Sequence, residues 1–247
     1  MEASATTIRF VTRDGIEVPA VDTEQMREVD RIAIEETGPN LYQMMENAGR
    51  NLAMLAVELL GAGWKQAKIL VLAGGGGNGG GGICAARHLA NRDAKVVICL
   101  ADPMALREVP AFQYKVLRST SAREIEFERI TDQRPDLVLD ALIGYGLQQA
   151  PKGRSAELIA WATSSRAPIL SLDIPSGVDS TTGQAPGVFI KARSTLTLAL
   201  PKKGLLPQHT GDLYLGDIGI PAAVYQRLGV TYVSPFGREF YVRLKNQ

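Results

Sequence analysis

Four apolar runs in this chain end in residues that could do chemistry. Residues 69–73 lead into Gly74-Gly75-Gly76-Gly77-Asn78-Gly79-Gly80-Gly81-Gly82, in which eight of nine residues are glycine. Asp136-Leu137-Val138-Leu139 ends in Asp140, followed by Ala141-Leu142-Ile143-Gly144-Tyr145-Gly146-Leu147. Pro168-Ile169-Leu170-Ser171-Leu172 ends in Asp173, followed by Ile174-Pro175-Ser176-Gly177. The run 195–200 ends in Pro201-Lys202-Lys203-Gly204. A glycine-rich turn before a helix lets backbone N–H groups approach a phosphate, because no Cβ intervenes. A carboxylate, a hydroxyl and an ammonium beside it could move protons or hold a cation.

Each group has a second reading. Asp140 and Asp173 could instead cap turns through nearby backbone N–H groups. Lys202 and Lys203 could be solvated at a strand end, and Tyr145 could either stack on a ring or only cover the crevice. Cys84 and His88, with no acid beside them in sequence, read as helix-packing residues rather than nucleophile and base.

These groups share one crevice only if the runs are parallel strands of one sheet. The pattern supports that. Strands are predicted at 68–73, 95–100, 137–140, 169–173, 195–200 and 212–215, and helices at 83–91, 105–118 and 155–164. Two further helical stretches, 23–36 and 41–60, precede them, separated by Gly38-Pro39, and Pro221 opens a short one near the end. Continuous apolar strands alternating with helices imply a doubly wound sheet, buried on both faces. Ligands of such sheets bind at the carboxyl ends of the strands. The fold expected is a Rossmann-like three-layer αβα sandwich with a mostly parallel sheet and an N-terminal helical extension. It forms one domain over 1–247, with residues 1–22 as an arm or edge strand.

Composition narrows the function. Lys and Arg number 27 against 26 Asp and Glu, without like-charge runs, so neither nucleic acid nor a membrane surface is indicated as partner. The two cysteines fall in apolar patterns, and the two histidines form no zinc spacing with them. The N-terminus lacks a signal-peptide pattern, which makes the cytoplasm the expected location. One rival is a nicotinamide oxidoreductase. Gly74, Gly76 and Gly79 satisfy Gly-x-Gly-x-x-Gly, and Asp102 follows at the interval of a ribose-binding acid. The glycine run satisfies that pattern in several registers, however, and Leu-Asp-Ile-Pro-Ser-Gly stays unexplained.

Met26-Arg27-Glu28-Val29-Asp30, Met45-Glu46-Asn47-Ala48-Gly49-Arg50, the Asp140 and Asp173 motifs and Leu200-Pro201-Lys202-Lys203-Gly204 occur in an order that resembles the YjeF N-terminal family, the NAD(P)H-hydrate epimerases. The similarity runs from about Met26 through Tyr225. It implies a substrate, hydrated NADH or NADPH, whose R and S forms are interconverted so that a separate dehydratase can repair it. It also implies a bound potassium ion and, commonly, a homodimer. Position by position, Asn78, Asp140 and Ser176 match potassium ligands. Gly77, Asn78, Gly79, Gly80 and Gly81, together with Gly144, Tyr145, Gly146, Leu147, Gln148, Gln149 and Ala150, match substrate-binding stretches. Asp173 matches the substrate-binding carboxylate. As chemistry, Asp173 would accept a proton and Lys202 or water would return one.

The chain departs from the family pattern Asn-Asn-Gly-Gly-Asp-Gly at Gly77 and Gly81. An alternative reading is therefore a catalytically impaired nucleotide-binding or scaffold member of the same fold. With a helix beginning near Ile83, an aspartate at position 81 would cap it, so Gly81→Asp is expected to raise stability.

Overall fold

A computed structural model describes residues 8–246. Residues 1–7 of the expected arm lie outside them; the rest of the arm forms strands β1 (Phe10–Thr12) and β2 (Glu17–Val18). Helix α1 (Thr23–Ile32) begins where Asp22 and Gln25 exchange side-chain and backbone hydrogen bonds, a capping box. It widens into a π-helical turn at Ala33–Thr37. Asn40 and Gln43 repeat the box at the start of α2 (Leu41–Leu60).

The alternating part follows: β3 (Lys68–Ala73), α3 (Gly77–Ala90), β4 (Lys95–Leu100), α4 (Glu108–Leu117), β5 (Arg123–Glu124), β6 (Leu137–Ala141), α5 (Gly153–Ser164), β7 (Ile169–Leu172) and β8 (Ser194–Leu198). Then come α6 (Pro207–Thr210), β9 (Asp212–Gly216), α7 (Ala222–Arg227) and β10 (Tyr241–Asn246). The strands form one sheet in the order β2-β1-β10-β9-β8-β7-β6-β3-β4-β5. From β9 to β5 every pairing is parallel, whereas β10, β1 and β2 extend the sheet antiparallel. The sequence reading missed β5, β10 and the pairing of the arm. All three lie toward the sheet edges, where short or exposed strands lack a strong apolar run.

Side chains of β3 show why the sheet has two helical layers. Ile69, Val71 and Ala73 pack in the cluster containing Leu52, Leu55, Ile83 and Leu89 of α2 and α3. Leu70 and Leu72 point the other way, into the cluster with Leu158, Ile159 and Ala162 of α5. The period-two alternation of a strand separates the layers. After β3 the chain runs outward to β4 and β5, then returns to β6 on the other side of β3. That reversal is the topological switch point.

The helix after β3 corrects the sequence reading. It begins at Gly77, not near Ile83, so Gly77 and Gly79 to Gly82 are helical and only Gly74 to Gly76 form the turn. Glycine is unfavourable inside a helix by about 1 kcal/mol relative to alanine. Close packing supplies the reason for it here. A Cβ on Gly79 would lie 1.8 Å from the carbonyl oxygen of Gly74, and one on Gly82 would lie 2.5 Å from Cβ of Ala141. A Cβ on Gly81 would meet Cδ2 of Leu172 at 2.6 Å. Position 81 is thus a buried interior position of α3, and the capping role expected for an aspartate there does not exist. Gly77 has nothing within 4 Å of its notional Cβ.

Candidate active site

At the carboxyl ends of β3, β6, β7 and β8 the structure encloses a cavity of about 460 Å³. Its walls come from several elements. Helix α1 contributes Met26, Arg27 and Asp30, and α2 contributes Leu41, Met44, Met45 and Ala48. The start of α3 contributes Gly76, Gly77, Asn78 and Gly81, and the segment after β6 contributes residues 142–146. Leu172, Asp173, Leu198, Lys202 and Ile218 complete it. The volume lies within the range of about 300–1,000 Å³ usual for small-molecule sites.

Half of the site residues singled out in the sequence meet here. Gly77, Asn78, Gly81, Gly144, Tyr145, Gly146, Asp173 and Lys202 line the cavity. Gly79 and Gly80 face Gly74 and Met45 instead, and residues 147–150 lie outside the lining. Gly76 precedes α3 with no side-chain cap, which leaves the first N–H groups of the helix for an anion.

Asp173 and Lys202 form a buried ion pair, with relative exposures of 4% and 1%. Lys202 also donates to the Leu198 carbonyl at 2.8 Å and to Thr197 Oγ1 at 3.4 Å, so its three N–H bonds are engaged. The other carboxylate oxygen of Asp173 accepts the backbone N–H of Tyr145 at 3.1 Å. Asp173 has φ of 67°, a left-handed conformation that aspartate tolerates better than most residues. The two adjacent lysines have separate fates. Across a parallel bridge the Val21 N–H donates to the Pro201 carbonyl and the Lys203 N–H to the Val21 carbonyl, Lys203 Nζ reaches Asp22 at 2.8 Å, and of the two lysines Lys202 enters the cavity.

A second carboxyl group in the lining went unmarked as a functional candidate in the sequence reading. Asp30 accepts the hydroxyl of Tyr145, whose ring also lies 5.8 Å from Lys202 Nζ. Burial raises the Asp30 carboxyl above its ordinary range, against the opposing hydrogen bond from Tyr145 and the charge of Lys202. Burial and the neighbouring Asp30 push the Tyr145 phenol up as well. One signal was available: Asp30 follows Met26 by one helical turn and borders the apolar stripe of Met26 and Val29, where a carboxyl group is not expected.

Asp140 is fully buried beneath this cavity. Its Oδ1 accepts Ser176 Oγ at 2.6 Å and Leu142 N–H at 3.3 Å, and its Oδ2 accepts Ser171 Oγ at 2.7 Å and Ser176 N–H at 2.9 Å. Burial raises its pKa, although these hydrogen bonds act the other way. Ser176 Oγ accepts Ile143 N–H at 2.9 Å and lies 3.2 Å from the Ile143 carbonyl. Asn78 packs against Gly144, the next residue, and its Nδ2 is buried without a partner. A half-turn of that amide presents an unpaired oxygen at the same place. Asn78, Ser176, Asp140 and the Ile143 carbonyl are thus a contiguous group of hard oxygen donors, and their chemistry fits a hard monovalent cation.

Comparison with known proteins places these features in context. Residues 41–204 match the family described as YjeF-related protein N-terminus. An NAD(P)H-hydrate epimerase of Dehalogenimonas lykanthroporepellens is 52% identical over 238 residues, covering 96% of this chain and 97% of that protein. The bifunctional NAD(P)H-hydrate repair enzyme Nnr of Salinibacter ruber is 34% identical over 229 residues, covering 85% of this chain and 42% of its own length. The crystal structure of yeast ynu0 shares the fold, with a TM-score of 0.80 at 20% identity, covering 92% of this chain and all of that one.

Proposed function

The chain belongs to the YjeF-related protein N-terminus family, and from that membership we propose that it is an isomerase that interconverts the R and S forms of hydrated NADH and NADPH. The observation that carries this reading is the buried Asp173–Lys202 pair, which lines the same cavity as the uncapped N-terminus of α3. The helix N-terminus favours a phosphate of the dinucleotide. Asp173, paired with Lys202, is the base for the proton of the ring hydroxyl, or for that of the water that re-forms it. Such assistance is typically worth about two to four powers of ten in rate.

Asn78, Asp140 and Ser176 are the residues that would hold a potassium ion. The ion would supply a fixed positive charge beside the anionic substrate. We further propose a homodimer in the cytoplasm, acting in sequence with a dehydratase. A dehydratase link is supported by the bifunctional repair enzyme among the relatives. No helix among the described residues is long and apolar enough to cross a membrane.

The test is to separate one epimer of the hydrate and follow the appearance of the other by chromatography. The expected result is equilibration accelerated by the protein, faster in potassium than in a bulky organic cation. Equilibration at the uncatalysed rate in both salts would overturn the reading.

A further inference from the structure

The buried base leaves one role unfilled. A change of configuration at the hydroxyl-bearing ring carbon needs a proton delivered as well as one removed. Lys202 is the nearest cation to Asp173, but its three N–H bonds are held by Asp173, Leu198 and Thr197. A proton given up there would break the ion pair that holds the base in place.

The remaining carboxyl group in the cavity lining is Asp30, and it differs from Asp173 in what faces it. Asp173 has an ammonium ion, whereas Asp30 has the phenol hydroxyl of Tyr145. Tyr145 joins the two, because its backbone N–H binds Asp173 while its hydroxyl binds Asp30. Resting on the epimerase reading, we propose that Asp30 is the catalytic general acid, that Asp173 is the general base, and that Tyr145 positions the acid.

The Asp30 carboxylic acid gives its proton to the ring hydroxyl. The carbon–oxygen bond breaks, and the oxygen keeps the bonding pair and leaves as water. The lone pair on the ring nitrogen forms the C=N bond of a cyclic iminium. Water then adds to the opposite face, the C=N pair returns to nitrogen, and Asp173 takes the surplus proton of the adding water. Transfer of that proton through solvent to Asp30 resets the site. Two carboxyl groups with unlike neighbours, here a phenol hydroxyl and an ammonium, are a usual arrangement of an acid and a base in one site. Burial favours the protonated form of Asp30, whereas Asp173 is held in an ion pair with Lys202.

The groups facing Asp30 are Tyr145, Asp173 and Lys202 in the cavity, Arg27 on its own helix, and Tyr225 on α7. Of these, Tyr145 touches it, and the phenol hydrogen bond stabilises the ionised carboxylate. The experiment compares the pH profiles of epimer interconversion for the parent, Asp30→Asn and Tyr145→Phe. The parent should lose rate at high pH as Asp30 ionises. Asp30→Asn should lose about a hundredfold or more, at the lower end of acid–base effects, and should lose that alkaline limb. Tyr145→Phe should keep much of the rate and move the limb to higher pH. An active parent with Asp30→Asn within about threefold of its rate would overturn the assignment and leave the epimerase reading intact.

A parent that does not interconvert the epimers would overturn that reading instead. Asp30 is then judged by carboxyl ¹³C titration of aspartate-labelled protein, with Asp30→Asn identifying its signal. A midpoint above the ordinary aspartate range supports the acid, and one within or below that range rejects it.

Discussion

Helix α3 has chemically rich residues at both ends, yet only its start lines the cavity. At its start, Gly77, Asn78 and Gly81 line the cavity opposite Asp173. Farther along, Cys84, Arg87 and His88 close on Glu46 of α2. The Glu46 carboxylate accepts Arg87 Nη2 at 2.6 Å, His88 Nε2 at 2.8 Å and Gln113 Nε2 at 3.2 Å. The ligand atoms of Glu46, Cys84 and His88 lie within 4.8 Å of one another, as in a metal site. The Arg87 guanidinium already supplies the cation, however, 3.4 Å from Cys84 Sγ and 3.3 Å from His88 Nε2. Burial, reinforced by Glu46, pushes the Cys84 thiol up to about 12, and burial with Arg87 nearby lowers the His88 pKa. The contrast teaches that reactive residue types make a site only where space is left beside them. A cluster whose carboxylate is already met by a cation is a joint between helices.

The largest expected difference between the two ends comes from Asp173→Asn. It should lower epimerisation at least about a hundredfold. It also leaves Lys202 buried without its counter-ion, which typically costs about 3–5 kcal/mol, so urea melts should show a large loss. Adding Lys202→Met should restore most of the stability and none of the activity. Recovery of turnover in that double variant would break the contrast, because it would mean that the pair is structural, like Glu46–Arg87.

A smaller effect is expected inside α3. Gly79→Ala places a Cβ against the Gly74 carbonyl, and overpacking of this kind costs about 1–3 kcal/mol or more. Gly77→Ala, in open space two residues away, should instead stabilise by about 0.4–1 kcal/mol. Thermal melts of the two variants decide whether sterics or mobility accounts for the glycines. Equal effects of the same sign would reject the packing argument.

The smallest effect belongs to the Glu46 end. Burial acts to raise the Glu46 pKa, but hydrogen bonds from Arg87, Gln113 and His88 outweigh it and hold the carboxyl at about 2. A depressed carboxyl pKa stabilises the fold above the unfolded value of about 4.3, and that contribution is lost as pH falls toward 2. Because the Glu46 side chain is 43% exposed, the contribution should stay near or below about 1 kcal/mol. Glu46→Gln should flatten the pH dependence of stability between pH about 4 and 2 and leave turnover within about twofold. A tenfold loss of turnover would show that the two ends of α3 are coupled.

The sequence read most directly where one physical rule dominates. Continuous apolar runs located β3 and β4 to the residue, because a strand buried on both faces cannot hide a polar position. Asp140 and Asp173 were legible as site candidates from their places at the ends of such runs. The start of α3 was not legible. A glycine run has the same appearance whether its backbone needs freedom or its neighbours leave no room, and the local sequence contains no sign that a Cβ would meet the Gly74 carbonyl at 1.8 Å or Leu172 at 2.6 Å.

By itself, then, the sequence determined the family, the parallel sheet and the arrival of Asp140, Asp173 and Lys202 at the carboxyl ends of the strands. Those features follow from periodicity and residue order along the chain. Tertiary structure decided which neighbours each group received. It paired Lys202 with Asp173 and Lys203 with Asp22, set Asp30 against Tyr145, residues 115 positions apart, and closed Cys84 and His88 onto Glu46. Proton affinity depends on burial and on charges within a few ångströms, and the folded chain draws those neighbours from segments far apart in sequence.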